Sequence, residues 1–267
     1  MLRDAKVAVL SVSLHLLMKE KEIVLYEDLQ NMGYQQAWDY QSLVLKSLVD
    51  NKLAHRGEPS KSYPQAHKLL LVEHPHVYTL GRSGSIENLL LNEQELAERH
   101  IEFFPINRGG DITYHGPGQL VGYPILDLDC FFTDVHRYVR CIEEVIIRVL
   151  AEYQIEGSRI DGYTGVWIEN NPMFPKDHPD FNKKRKICAI GVHLSRWVTL
   201  HGWAFNVNTD LQYFGYIVPC GIVDEDKTVT SLAQELGRAI DMAEVKERVL
   251  RHFGEVFEAE ITTLTHD

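Results

Sequence analysis

The sequence predicts an α+β fold, a single domain with a mixed, largely antiparallel sheet flanked by helices. Three observations predict it. Short apolar runs of strand character recur along the chain. The amphipathic helical stretches are fewer and do not alternate with those runs as a βαβ series would. No internal repeat is visible, and 267 residues suffice for one large domain with a sizeable core.

Residues 1–22 read as an N-terminal extension and residues 23–267 as the domain. Val7 to Met18 follows Arg3 and Lys6 as a secretion signal would, yet it lacks a small-residue cleavage site and runs into Lys19-Glu20-Lys21-Glu22. No apolar stretch reaches the roughly 20 residues that span a bilayer. Residues 23–25 are expected as a short strand. Over 34–52, Ala37, Trp38, Gln41, Leu45, Leu48 and Val49 recur at three- and four-residue spacing, which gives a helix with one apolar face. Residues 55–65 are polar and rich in breakers, hence a loop. Residues 68–73 and 77–80 read as strands, the second ended by Gly81. Asn92 is expected to cap a short helix over 93–99. A strand at 101–106 enters a glycine-rich turn and another at 119–126 leaves it.

Residues 135–153 form the clearest amphipathic helix, with Val139, Ile142, Val145, Ile146 and Val149 on its apolar face. Strands near 165–169 and 186–195 are separated by an insertion at 170–185. A strand at 203–207, a helix at 242–253 and a strand at 259–262 close the chain.

The formal net charge of −11 argues against nonspecific nucleic-acid binding. Cys130, Cys141, Cys188 and Cys220 contain no C-x-x-C pair, so neither a zinc ribbon nor a disulfide framework is expected, and a reducing, cytoplasmic compartment fits them. His74 and His76 flank a proline with no further ligands at useful spacing, so no metal site is expected.

Three stretches can carry chemistry. In Arg108-Gly109-Gly110-Asp111-Ile112-Thr113-Tyr114-His115-Gly116-Pro117-Gly118-Gln119, four glycines and a proline fix a tight backbone path open to a ligand. Arg108 brings fixed donors and His115 a group that can move a proton; the competing reading is a plain hairpin. It is not a P-loop, for no Gly-Lys-Ser/Thr follows. In Val218-Pro219-Cys220-Gly221-Ile222 the cysteine sits on a rigid turn, whereas Cys130 and Cys141 fit ordinary buried thiols. In Lys186-Ile187-Cys188-Ala189-Ile190-Gly191-Val192 a lysine opens an apolar strand. Snorkelling is the usual use of such a lysine, and proton exchange with a thiol or amine is the alternative. Strand alternation puts Cys188 on the face of Lys186, so Cys188 is the rival nucleophile.

These stretches, with Glu73-His74-Pro75-His76-Val77-Tyr78-Thr79-Leu80-Gly81-Arg82 and His201-Gly202-Trp203-Ala204-Phe205-Asn206, fall in an order that resembles the lipoate-protein octanoyltransferases over about residues 28–236. The resemblance implies the fold of the biotin and lipoate protein ligases. It implies an acyltransferase that takes octanoate from acyl carrier protein and delivers it to the lipoyl-domain lysine of 2-oxoacid dehydrogenases or the glycine cleavage protein. Cys220 matches the family's thioester-forming nucleophile and Lys186 the lysine that assists it. Arg108 to His115, Ala189, Ile190 and Gly191, and Gly202, Trp203 and Ala204 match positions lining the acyl site. No cofactor and no ATP are implied, for thioester exchange is nearly isoenergetic.

The chemistry is coherent in itself. A free thiol with a pKa near 8.5 is only about 3% thiolate at pH 7, and a neighbouring ammonium favours the anion. An ATP-dependent ligase would have no use for the Pro-Cys-Gly turn. A cysteine hydrolase would need an oriented Cys–His pair, for which only His115 and His201 stand available. A noncatalytic acyl-binding relative would not keep both Lys186 and Cys220. Acidic partners would need a local positive surface, for which Lys183, Lys184 and Arg185 are the expected residues, with Arg82 and Lys68 behind them.

Overall fold

The computed structural model describes residues 21–218 and 225–263. Its strands are β1 (Glu22–Asn31), β2 (His67–Glu73), β3 (Val77–Leu80), β4 (Glu102–Pro105), β5 (Ile112–His115), β6 (Gln119–Ile125), β7 (Ser158–Ile160), β8 (Tyr163–Ile168), β9 (Lys184–Ser195), β10 (Val198–Asn206), β11 (Lys227–Val229) and β12 (Ala259–Thr263). Its α-helices are α1 (Tyr34–Ala54), α2 (Glu93–Glu98), α3 (Val135–Glu152), α4 (Leu232–Leu236) and α5 (Met242–Val256). The expected extension at 1–22 lies outside the described residues up to Glu20, and Glu22 already opens β1. No helix among the described residues is long and apolar enough to cross a membrane.

The large sheet runs β12-β1-β2-β6-β10-β9-β8-β7, with β11 beside the start of β9. Only β12/β1, β1/β2 and β11/β9 are parallel, so the expected mixed and largely antiparallel sheet is found. Along β2, Leu69 and Leu71 face one core while Leu70 and Val72 face the other. Covering a sheet on both faces turns its inner strands into continuous apolar runs. On one side α3 and α5 press Ile142, Val145, Ile146, Val249 and Phe253 against Leu69, Leu120, Trp203 and Phe205. On the other, α1 lays Ala37, Val44 and Leu48 over Val121, Tyr123 and Ala204. A second sheet, β4-β3-β5, holds the glycine-rich stretch.

Helix starts follow local chemistry. The Asp134 carboxylate accepts the Arg137 N–H at 3.0 Å to open α3, and Asn92 and Glu95 form a reciprocal capping box on α2. Strand β1 runs ten residues where three were expected. Parallel partners on both sides hold it, although Glu27 and Asp28 break its apolar pattern. Strands β5, β7 and β11 and helix α4 were not expected.

Two breaks in the ladder matter later. Pairing of β6 with β10 stops at Gly122 opposite Trp203, and Pro124 follows on β6 with no N–H to donate. His201, on β10, adopts left-handed backbone with φ 62°, and the buried Gln41 side chain on α1 accepts its N–H at 3.2 Å. Between β8 and β9, Val166 pairs with Cys188 and Trp167 with Lys186, so Ile187 is one residue in excess, a β-bulge.

The 170–183 stretch has no helix or strand but is anchored. Arg185, fully buried, pairs through Nε with Glu235 Oε1 at 2.7 Å. Its guanidinium lies 4.2 Å from the Phe174 ring centroid and binds the carbonyls of Asp180, Phe181 and Lys183. Asn171 and Thr230 donate to the same Glu235 carboxylate. Within the basic run expected to meet acidic partners, Arg185 is corrected. Arg185 is a core residue, Lys183 is paired with Asp180, and Lys68 is tied to Glu27 and Tyr40. Glu235→Ala leaves the Arg185 charge uncompensated and should cost about 3–5 kcal/mol in urea unfolding. A loss under about 1 kcal/mol would show that the pair does not hold the insertion.

Candidate active site

A cavity of about 410 Å³ lies where the glycine-rich loop, β9 and β10 converge, within the roughly 300–1,000 Å³ usual for small-molecule clefts. The loop is stitched to the stretch of β9 beyond its pairing with β8, where the Gly109 N–H donates to the Val192 carbonyl at 3.0 Å. Loop and strand come so close that a Cβ at Gly191 would stand 2.9 Å from the Gly109 oxygen. On β10 a Cβ at Gly202 would stand 2.1 Å from the Gly122 oxygen. Both positions require glycine on space alone.

Of the residues expected at the site, Arg108, Gly109, Gly110, Asp111, Ile112, Thr113, His115, Lys186, Ala189, Ile190, Gly191, Gly202, Trp203 and Ala204 line this cavity. Tyr114 does not. It is buried in a side cluster with Tyr78 and Phe214, and its hydroxyl bonds His76 Nδ1 at 2.8 Å. Cys220 lies outside the described residues, but Phe214 before it and Val229 after it both contribute to the wall. Val229 stands opposite Lys186 in the parallel β11/β9 register. Sequence reasoning passed over Tyr34, Tyr123 and Asn206, which also line the cavity. Asn206 closes a stretch already singled out and had a signal; Tyr34 and Tyr123 come from a helix and a strand read only as secondary structure.

The expectation that Cys188 shares a face with Lys186 is corrected by the bulge. Because Ile187 is in excess, alternation resets, and Ile187 and Cys188 both enter the core. Lys186 lines the cavity instead, its Nζ 4.7 Å from the Trp167 ring centroid. Burial pushes the Cys188 thiol far above the usual range, and burial also raises Cys130 to about 12 and Cys141 upward. None of these three is an activated nucleophile.

Polar groups around the cavity are locked. The Arg108 guanidinium, buried, donates from Nη2 to the Thr79 carbonyl at 2.6 Å and to Thr79 Oγ1 at 2.9 Å. Asn206 Nδ2 donates to the Thr230 carbonyl, so its oxygen accepts from Gln119 Nε2, whose own oxygen faces His115 Nδ1 at 2.8 Å. That chain puts the His115 proton on Nδ1 and leaves Nε2 toward Thr79 Oγ1. His74 donates to the Met32 carbonyl and accepts from the Tyr123 hydroxyl, both under 3 Å, and has no lone pair left for a metal. Elsewhere Glu22, His67 and Cys130 cluster. There His67 Nδ1 accepts the Asp127 N–H, which keeps the proton on Nε2 facing Glu22 and opposes metal ligation.

Comparison with known proteins fits this geometry to a family. The profile of the lipoyl protein ligase A/B catalytic domain matches residues 34–254. The chain belongs to that family. The octanoyltransferase of Cytophaga hutchinsonii is 54% identical over 245 residues, 91% of this chain and 96% of the relative. That of Christiangramia forsetii is 52% identical over 88% of this chain and 97% of its own. Among solved structures, a bipartite lipoate protein ligase from Thermoplasma acidophilum superposes with a TM-score of 0.61 at 18% identity, covering 92% of this chain and 88% of that one. At that identity the likeness speaks for the fold, the lipoate-ligase fold expected from the sequence.

Within this family fold the histidines at the cavity, His115 and His201, and the neighbouring His74 are held neutral. Burial lowers His74 to about 4 and, reinforced by the Arg108 charge, His201 to about 3. Burial, then His74 and Arg108, carry His115 well below its ordinary value. The unfolded chain, with histidines near 6.5, therefore binds more protons in acid. Stability present above about pH 6.5 should be lost as pH falls toward the folded-state values, each histidine adding a slope of up to ~1.4 kcal/mol per pH unit. Urea unfolding between pH 7 and 5 reads this directly; a flat profile would contradict neutral burial.

Proposed function

We propose that this chain transfers an octanoyl group from acyl carrier protein, through a thioester on Cys220, to the lipoyl-domain lysine of 2-oxoacid dehydrogenases or the glycine cleavage protein. Octanoyltransferase relatives at about half identity over nearly their full length support acyl transfer in lipoate assembly. The observation that carries the residue assignment is Lys186 on the wall of the cavity while Cys130 and Cys188 are buried and Cys141 half-buried, each with a raised pKa. By elimination that points to Cys220; Phe214 before it and Val229 after it border the same cavity.

In the first half-reaction the Cys220 thiolate attacks the carrier thioester. A new C–S bond forms, the carrier sulfur leaves, and that thiolate takes a proton. In the second, the acceptor amine attacks the acyl-cysteine, the C–N bond forms and Cys220 departs as thiolate. The lysine ammonium favours each thiolate, and its neutral form accepts the proton that the attacking amine sheds. Both tetrahedral oxyanions need donors, for which backbone N–H groups of the loop and of 189–191 are the candidates. No step consumes ATP.

Incubation with octanoyl carrier protein without ATP, read by intact mass, should show one added octanoyl group. Cys220→Ala should abolish it and Cys188→Ala should keep it. An adduct that survives Cys220→Ala, or transfer that requires ATP, would sink the reading. Lys186→Ala should slow transfer by about 10²–10⁴ while leaving the protein folded. Lys186→Arg should still acylate yet stall at aminolysis, because guanidinium cannot deprotonate in the working range.

A further inference from the structure

Trp167 sits on β8 directly opposite Lys186, and its side chain is fully buried. The Lys186 ammonium lies 4.7 Å from its ring centroid, inside the roughly 6 Å over which an aromatic face attracts a cation. The edge of that ring is braced by Tyr163, with centroids 5.8 Å apart at 75°, and Tyr163 itself lines the cavity.

The indole is an awkward choice for the position if packing were its only task. Its Nε1–H is buried without a hydrogen-bond partner among the described residues, a penalty that phenylalanine or leucine between Val166 and Ile168 would avoid. What indole offers over those residues is the strongest π face for an ammonium. A flexible four-carbon stem gives lysine many rotamers, and a fixed face below the ammonium selects one of them.

We propose that Trp167 is the positioning residue of the transfer reaction, holding the Lys186 ammonium in place through its ring face. The proposal rests on the reading of Lys186 as the assisting group. Trp167 does not touch the acyl chain in this role; it acts through Lys186. The orphan N–H makes the test clean, since weakening the ring's π face disturbs no hydrogen bond.

The test places tryptophans with one, two and three ring fluorines at position 167 alone, by stop-codon suppression in the full chain. Octanoyl transfer from carrier protein to a lipoyl domain is then measured. Each fluorine drains the π face with little change in shape. The expected result is a stepwise fall in kcat, about 2- to 30-fold across the series, with KM and thermal midpoint unchanged. In a Lys186→Ala background the same series should cause no further fall, because the ring then has nothing to hold. Trp167→Phe should retain more transfer than Trp167→Leu. A kcat indifferent to fluorination, in a protein that Lys186→Ala cripples, overturns the role of Trp167 and leaves that of Lys186 standing. Near-normal transfer by Lys186→Ala removes the assisting lysine itself and the positioning proposal with it.

Discussion

Every buried backbone N–H and carbonyl must find a partner, and in a sheet covered on both faces the ladder is the main supplier. Two of the places where this sheet departs from its ladder lie beside the cavity. Pro124 cannot donate toward β10, and β10 answers with His201 in left-handed backbone, whose N–H goes to Gln41 on α1. Such a conformation costs on the order of 1–3 kcal/mol outside glycine, and the packing of α1 across this face sustains it. Gly202 then fits against Gly122 only because it lacks a Cβ. On the neighbouring strand, the extra residue Ile187 turns Lys186 to the cavity and Cys188 to the core. Without that insertion of one residue, alternation would bury the lysine or expose the thiol.

The electrostatics of the cavity follow from the same packing. Arg108 is carried on the Thr79 carbonyl and hydroxyl; burial keeps His74 neutral, and burial reinforced by that guanidinium keeps His115 and His201 neutral. The site thus has few charged side chains in its wall, the cations Arg108 and Lys186 and the carboxylate of Asp111. Charge developing on a substrate oxygen or sulfur meets them with less screening than at a surface. Hydrogen-bond directions are fixed beforehand by the chain from Thr230 through Asn206 and Gln119 to His115, so little reorganisation is left for the moment of reaction.

Much of the fold was legible because burial writes itself into apolar spacing. Helices α1 and α3 and strands β2, β3 and β6 fall within two residues of their expected bounds. Strands β7 and β11 are three residues each and half-exposed, too short to leave a period. Strand β5 was hidden inside a glycine-rich stretch whose Thr113, Tyr114 and His115 look polar although they pair with β3 throughout. At the site, ordered motifs located most of the lining, since close approach forces glycine at Gly191 and Gly202. Tyr114 was misplaced because contiguity in a motif says nothing about which way a strand residue faces. The sharing of a face by Lys186 and Cys188 failed for a related reason, since a bulge leaves no mark in the residues that form it. Arg185 misled most of all. A run of cations reads as surface, and its buried partner Glu235 stands 50 residues further on.

That misreading bears on how Lys186 is held. Arg185 plunges into the core, where Glu235, Phe174 and three backbone carbonyls fix its guanidinium. The next residue turns the other way, to the cavity, and its carbonyl accepts the Thr230 N–H at 2.9 Å. Thr230 in turn donates its hydroxyl to Glu235, so the backbone of Lys186 is gripped by the same carboxylate that holds Arg185. The bulge follows immediately on its other side. A lysine with a flexible stem is thus rooted in backbone held on both sides, with an aromatic face at its tip. On the proposed reading, transfer between two protein-bound groups needs the assisting amine within a fraction of an ångström of its place. The buried ion pair, an expensive way to gain stability, is better understood as the fixed point from which that placement is made.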